Sequence, residues 1–376
     1  MVDMQCRCCE HKISDLSLLV LHNMPLGAQN FPEEFDLLNE KGIDLRLYQC
    51  DMCGVIQLSG EPVPYYRDVI RAVGVSKEMK NFREKQFPKW IEENQLSQKK
   101  IVEVGCGCGE YLSIMKKYCP QAVGLENNEK SVKCCNDNSL RVYEGYIDKD
   151  NYVIPEAPYD GFYILSFLEH FPSPHEMFKG LLANLTDNAV GLIEVPNFDM
   201  IIKYSMYSEL IQDHLLYFTQ ESLCRFLSMH GFEVVKCKTV WHDYIISVEV
   251  KRRQRLSLDA FKCKQAQIKQ KLDDFFAHHE EKHIAVWGAG HQALTNMALL
   301  EMEKYVEVVI DSANFKQNKF TPATHIPIYS PESLSKGNID VVLIMAGSYS
   351  QEIASYMKEN YPDISSYVLT NNGDVL

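Results

Sequence analysis

Gly105, Gly107 and Gly109 directly follow the apolar run IVEV (101–104), which contains Glu103, and a second apolar run, AVGL, closes on Glu126. Strand, glycine loop, helical stretch and second strand with an acid at its tip form a nucleotide-type arrangement. Glycine lets the backbone pass close under a ligand, and an acid at the second strand's end can accept from both ribose hydroxyls. A ribose-bearing cofactor is therefore expected. The dinucleotide fingerprint reads G-x-G-x-x-G, and here the third glycine comes one residue early. Farther on, FYILSFLEHFPSP (162–174) carries Glu169 and His170 to the end of another strand. ELIQDHLLYFT (209–219) sets Asp213 and His214 before an aromatic run. An acid and an imidazole beside a reactive cofactor suffice for base-assisted group transfer, since histidine titrates near working pH. His214 is the expected base, Asp213 its orienting acid and His170 the alternative base. The plainer reading of either histidine is a structural ring hydrogen-bonded beneath a loop. Tyr65 and Tyr66 either cap the ligand or simply pack.

A second chemical cluster is made of cysteines. Cys6-Arg7-Cys8-Cys9 and Cys50-Asp51-Met52-Cys53 are two C-x2-C pairs with 40 residues between them. Four thiolates in two pairs suit a tetrahedral structural Zn2+ and leave no position open for catalysis. Cys6, Cys9, Cys50 and Cys53 are the expected ligands; Cys8 competes for the pairing and His11 is a weaker substitute. The chain has 13 cysteines, and its first residues lack the basic-then-apolar pattern of a signal peptide, so reduced thiols and a cytoplasmic setting are expected. A net charge of −13 opposes nucleic-acid binding. No apolar stretch approaches the roughly 20 residues of a membrane span. The expected partner is a small molecule.

Positioning these residues requires an α/β fold. Strand-like runs recur at 101–104, 122–125, 141–143, 161–165 and 190–195, with helix-like segments between most of them. That alternation indicates a parallel, Rossmann-like sheet covered by helices. Helical spacing also occurs in 62–79, 82–96 and 222–231, and antiparallel strands are expected at 232–241 and 244–253. A polar stretch, 256–280, free of Gly and Pro, suits a connecting helix before a second α/β unit. There IAVWGAGHQA reads G-x-G-x-x-A, with Asp311 ending the next strand as a dinucleotide fingerprint expects. An NAD(H) site for redox chemistry is one reading of Gly288, Gly290 and His291. The others are a tight turn, or a helix start that holds the phosphates of a nucleotide-linked substrate. The expected division is a zinc module at 1–60, a cofactor core at 61–255 and a C-terminal α/β domain at 256–376.

E/D-x-G-x-G-x-G resembles motif I of the class I S-adenosylmethionine-dependent methyltransferases. Cysteine pairs, motif I and a tail reading DSANFKQNKFTPATHIPIYSPE from Asp311 stand in the order of the sugar C-methyltransferases that act on nucleotide-linked 4-keto deoxysugars. PLGAQNF (25–31) adds to the resemblance, which covers nearly the whole chain. It implies three parts around one cleft, a structural zinc, and an enolate that attacks the cofactor's sulfonium methyl. Glu103, the three glycines and Glu126 would bind the cofactor, with Asp148 near the adenine. Tyr65, Tyr66, Glu169, His242, Gly288, Gly290 and His291 would meet a sugar nucleotide. The chain departs from the family in three places. Ile211-Gln212-Asp213-His214 stands where Tyr-His-Glu-His is usual, and His242-Asp243-Tyr244 replaces His-Gly-Gly-Ser. Gly288-Ala289-Gly290-His291-Gln292 replaces Gly-Ala-Pro-Ala-Lys. These positions concern the acceptor, leaving carbon and oxygen both open.

Overall fold

The computed structural model describes residues 4–14, 16–29, 31–68, 75–148 and 151–376. The chain divides into two compact units, Met1–Arg255 and Leu256–Leu376.

The first unit begins with three antiparallel strands, β1 (Leu19–Met24), β2 (Ile43–Gln49) and β3 (Ile56–Leu58). Then come α1 (Lys77–Glu93), β4 (Ile101–Val104), α2 (Glu110–Met115), β5 (Ala122–Glu126), α3 (Glu129–Asp137), β6 (Val142–Glu144) and β7 (Tyr159–Leu165). It continues through α4 (Pro174–Ala183), β8 (Leu185–Pro196), α5 (Phe198–Lys203), β9 (Leu216–Tyr217) and α6 (Gln220–Met229) to the hairpin β10 (Phe232–Val240) and β11 (Ile245–Arg252). Seven of these strands form one sheet in the order β10-β11-β8-β7-β4-β5-β6, in which only β11 runs antiparallel to the rest. β4 is buried at every position, as a strand covered on both faces must be. Helix starts are fixed locally. The Ser76 side chain accepts from the Met79 amide at α1, Asn128 from Ser131 at α3, and Thr219 from Ser222 at α6. Residues 69–74, part of the helix expected over 62–79, lie outside the described residues; 64–67 form turns and α1 begins at Lys77.

The cysteine segment does not stand as a unit of its own. β3 pairs antiparallel with β9, a strand from far along the chain. Cys6, Cys8, Ile13, Cys50, Cys53 and Val55 also belong to the same buried cluster as Phe171, Phe178, Leu216 and Phe226. A segment of about 60 residues, much of it loop around two thiol pairs, encloses little core of its own, so it completes one built by its neighbour.

The second unit runs α7 (Asp259–His278), β12 (Ile284–Trp287), α8 (His291–Leu299), β13 (Val306–Ile310), β14 (Lys319–Phe320), β15 (Pro327–Tyr329), β16 (Val341–Ile344), α9 (Ser350–Asn360) and β17 (Ser365–Val368). Its sheet order is β14-β15-β13-β12-β16-β17, with only β14 antiparallel. Each face has its own apolar cluster, one around Val286, Met297 and Val309 and one around Ala285, Ile310 and Met357.

Candidate active site

In the first sheet the strand order turns at β4, with β5 on one side and β7 on the other. Open α/β sheets bind ligands beyond the carboxyl ends of the strands at such a point. The glycine loop lies there. Gly105 has φ +76°, and a Cβ on it would stand 2.3 Å from the Phe167 ring. Gly109, at φ +80°, precedes α2. The Gly107 amide donates to Glu126 Oε2 at 2.8 Å and the Asn128 amide to Oε1 at 2.9 Å. Each carboxylate oxygen keeps a lone pair for a hydroxyl donor. Burial pushes the Glu126 carboxyl up, partly offset by those two amides. Gly105, Glu126, Tyr146, Ile147, Phe167 and Phe171 line a small cavity beside the loop.

Glu103 differs from its expected role at the cofactor. It is 2% exposed and accepts from the Tyr163 hydroxyl at 3.0 Å, so it braces β4 against β7 inside the sheet. Asp148 pairs with Arg67 at 3.2 Å, and Arg67 Nε donates to the Tyr66 hydroxyl at 2.9 Å. Tyr66 meets Tyr146 edge-on, and Tyr146 stacks on Phe171 with centroids 5.0 Å apart. Asn127 Nδ2 donates to Asp68 at 2.8 Å. Arg67, Asp68, Asn127, Tyr146, Phe167 and Phe171 thus join this edge without having been singled out from sequence. Only Asn127, next to the ribose acid, carried a positional hint.

The reacting end is built on the turn that leaves β7. Phe167 covers Gly105, and the short 3-10 turn Leu168–His170 follows it at once. His170 Nδ1 lies 2.7 Å from the Asp213 carbonyl oxygen. A carbonyl only accepts, so Nδ1 carries the proton and Nε2 is left as a lone pair. The His214 ring meets His170 edge-on, with centroids 4.8 Å apart. Carboxylate and ring atoms of Glu169, His170 and His214 lie within 4.8 Å of one another. Burial raises the Glu169 carboxyl to about 8, and no hydrogen-bond partner reaches its Oε2 among the described residues. Burial lowers His170, while burial and then the neighbouring His170 take His214 down to about 3. Both rings are therefore neutral around neutral pH. His214 is the more exposed of the two.

Three expected roles change here. The Asp213 carboxylate does not orient His214: Oδ1 accepts from the Tyr65 hydroxyl at 2.8 Å and Oδ2 from the Ala28 amide at 2.9 Å. Its backbone carbonyl orients His170 instead. Tyr65, expected to cap a ligand, also accepts from the Gln29 amide at 3.0 Å, and burial followed by Asp213 pushes its hydroxyl up to about 12. A Cβ at Gly27 would stand 2.3 Å from the Tyr65 hydroxyl, which gives PLGAQNF a physical purpose. The segment is pinned down at Asp213 through Tyr65; its Asn30 lies outside the described residues. His242 is exposed in the β10–β11 turn, where residues 241–243 all have positive φ, and its Nε2 bonds Glu78 at 2.8 Å.

Cys6 and Cys53 place their Sγ atoms 3.5 Å apart, and Cys9 and Cys50 place theirs 3.6 Å apart. All four Sγ atoms lie within 4.8 Å of one another. Tetrahedral zinc with bonds near ~2.3 Å holds sulfurs a little under ~4 Å apart, so this donor set fits the ion. Cys8 is buried outside the quartet and gives its amide to Cys6 Sγ at 3.4 Å. His11 contributes its backbone carbonyl to the Cys6 amide.

In the second unit, Gly288 has φ +124°, and a Cβ there would stand 2.8 Å from the Met345 carbonyl oxygen. Only glycine fits where β12 and β16 end side by side. Gly290 has open space about it, and His291 begins α8, exposed. Both line a cleft of about 1050 Å³ together with Asp311 and Lys316. Asp311 is heavily engaged, accepting from the amides of Ala289 and Ala313 and from Lys316 Nζ at 2.8, 2.9 and 2.9 Å. Burial opposes its charge, but the Ala313 amide, Lys316 and the Ala289 amide outweigh it and hold the carboxyl below its ordinary range. A ribose would have to compete with the lysine, which counts against the NAD reading.

Two family models match this chain. One, described as a methyltransferase domain, matches residues 75–237, and one, described as a C-methyltransferase C-terminal domain, matches residues 248–369. The C-methyltransferase NovU of Streptomyces niveus is 24% identical, over 94% of this chain and 92% of that protein. The plantazolicin methyltransferase BpumL in complex with SAH matches at 17% identity and a TM-score of 0.39, over 47% of this chain and 86% of that one. Magnesium protoporphyrin IX methyltransferase (ChlM) from Synechocystis PCC 6803 with bound SAH matches at 12% identity and a TM-score of 0.38, over 48% and 90%. The chain is a class I S-adenosylmethionine-dependent methyltransferase. It joins a methyltransferase core to a C-methyltransferase C-terminal domain. No helix among the described residues is long and apolar enough to cross a membrane.

Proposed function

We propose that the protein methylates a carbon next to a carbonyl on a nucleotide-linked keto-deoxy sugar. The observation that carries this is the convergence of His214 with Glu169 and His170, which sit on the turn just after Phe167, the ring covering Gly105. Bound S-adenosylmethionine supplies an electrophilic methyl group. Gly105, Gly107 and Gly109 pass beneath it, and Glu126 accepts from its ribose. His214, neutral and the more exposed ring, takes the proton from the acceptor carbon. His170, held by the Asp213 carbonyl, fixes the ring beside it. Glu169, protonated near neutral pH, donates to the oxygen on which negative charge develops. A carbon acceptor, in preference to oxygen, is supported by the matched C-terminal domain and by the C-methylating relative.

The four-cysteine set would hold a structural Zn2+ and stabilise the amino-terminal strands. The cleft of the second unit, lined by His291 and Gln292 at the start of α8 and by Lys316, would take phosphate groups. Two variants test the central assignment, with cofactor affinity measured by calorimetry and turnover by mass spectrometry on a keto-sugar nucleotide panel. Glu126→Ala should weaken S-adenosylmethionine binding at least tenfold. His214→Asn should leave that binding within about twofold and cut turnover by about 10²–10⁴, the usual worth of general base catalysis. Unchanged turnover in His214→Asn removes the base assignment.

A further inference from the structure

Glu169, His170 and His214 present a donor set that the proton-transfer reading does not exhaust. Their ligand atoms lie within 4.8 Å of one another, and Glu169 Oε2 is buried with no hydrogen-bond partner among the described residues. His170 has its Nδ1 proton on the Asp213 carbonyl, which aims a bare Nε2 lone pair elsewhere. Metal-binding histidines are oriented in that way, by a carbonyl or carboxylate on the far nitrogen. Two imidazoles and one carboxylate suit first-row transition cations and leave coordination positions open, whereas Mg2+ and Ca2+ take oxygen-rich shells. Metal bonds near ~2.1 Å require ligand atoms roughly 3–4 Å apart, which small side-chain rotations reach from here. The sulfur-only quartet of Cys6, Cys9, Cys50 and Cys53 is a chemically distinct site.

We infer that Glu169, His170 and His214 form a second metal site, for a divalent first-row transition cation such as Zn2+ or Co2+, and that its occupation inhibits methyl transfer. The inhibition follows from electron pairs. A His214 nitrogen bonded to a cation has no lone pair for the acceptor's proton, so metal and base action exclude each other. This consequence rests on His214 being the base; the metal site itself does not.

Equilibrium dialysis of the full chain against CoCl2 tests it, reading cobalt per chain and the visible spectrum. Wild type should bind two cobalt ions, one with thiolate-to-cobalt charge transfer and one without. Glu169→Gln and the double variant His170→Asn/His214→Asn should each bind one, retaining the thiolate signature, which with S-adenosylmethionine binding reports an intact fold. A single cobalt in wild type, or two in both variants, overturns the site. Zn2+ beyond the first equivalent should inhibit wild-type turnover at least tenfold, and a weak chelator should restore it. Full turnover with two ions bound overturns the exclusion. If His214→Asn keeps its turnover, the base assignment fails while the cobalt count still judges the site.

Discussion

Glu169 is wholly buried, and burial lifts its carboxyl from 4.5 to about 8. The unfolded chain loses this proton near its ordinary value, whereas the native chain holds it to about pH 8. Between those limits the native state binds more protons, so stability falls as pH rises, by about 1.4 kcal/mol per pH unit at most. Glu169→Gln removes that dependence. Its stability advantage over wild type should be several-fold larger at pH 8 than at pH 5 in urea denaturation, and an equal difference at both would refute the burial argument. His214 shifts the other way, to about 3. With His214 as the base, the acid limb of kcat/KM should lie clearly below pH 6.5, and a limb at or above 6.5 would show a ring more solvated than this structure has it. Sequence singled out Glu169, His170 and His214, and the fold brings their ligand atoms within 4.8 Å of one another. Sequence misassigned Asp213, whose carboxylate serves Tyr65 and Ala28, partners 148 and 185 residues away.

At the scale of elements, the alternation of apolar runs was enough to read β4 to β8, the β10–β11 hairpin and α7, because each has a strong local period or a clear boundary. β9 was missed: two residues cannot show a period, and only its pairing with β3 makes it a strand. The glycine loop is a prediction site at this scale. Gly105→Ala combines a left-handed φ of +76° with a Cβ 2.3 Å from Phe167, so it should cost more than about 1 kcal/mol. S-adenosylmethionine affinity should fall with it, by calorimetry, while Gly290→Ala, in open space, should be nearly silent in stability. The cysteine loops give another. With Zn2+ bound, a strong chelator or Cys50→Ser should loosen β2 and β3, seen as faster amide hydrogen exchange there, before the β4–β8 sheet is affected. Unchanged exchange would mean that thiol packing alone holds these strands.

At the scale of the whole molecule, two units with separate cores imply two cooperative blocks. Calorimetry should resolve two transitions. Met297→Ala should lower one by the ~2–5 kcal/mol typical of a buried methionine, and S-adenosylmethionine at 100 times its Kd should stabilise the other by about 2.7 kcal/mol. One transition shifted equally by both would contradict independent cores. The amino-terminal segment belongs to the first block, since its cysteines pack in the same cluster as Phe178 and Phe226.

By itself the sequence determined the alternating α/β pattern, the glycine loop with Glu126 at the next strand's end, the paired cysteines and the histidines worth testing, because each depends on residue type at short, regular spacing. Only the tertiary structure decided what those side chains face. It turned Glu103 inward to Tyr163, tied His242 to Glu78 and Asp311 to Lys316, and brought Glu169, His170 and His214 together. The reason is that hydrogen bonds and burial join residues far apart in the chain, and no local pattern records where a distant partner arrives.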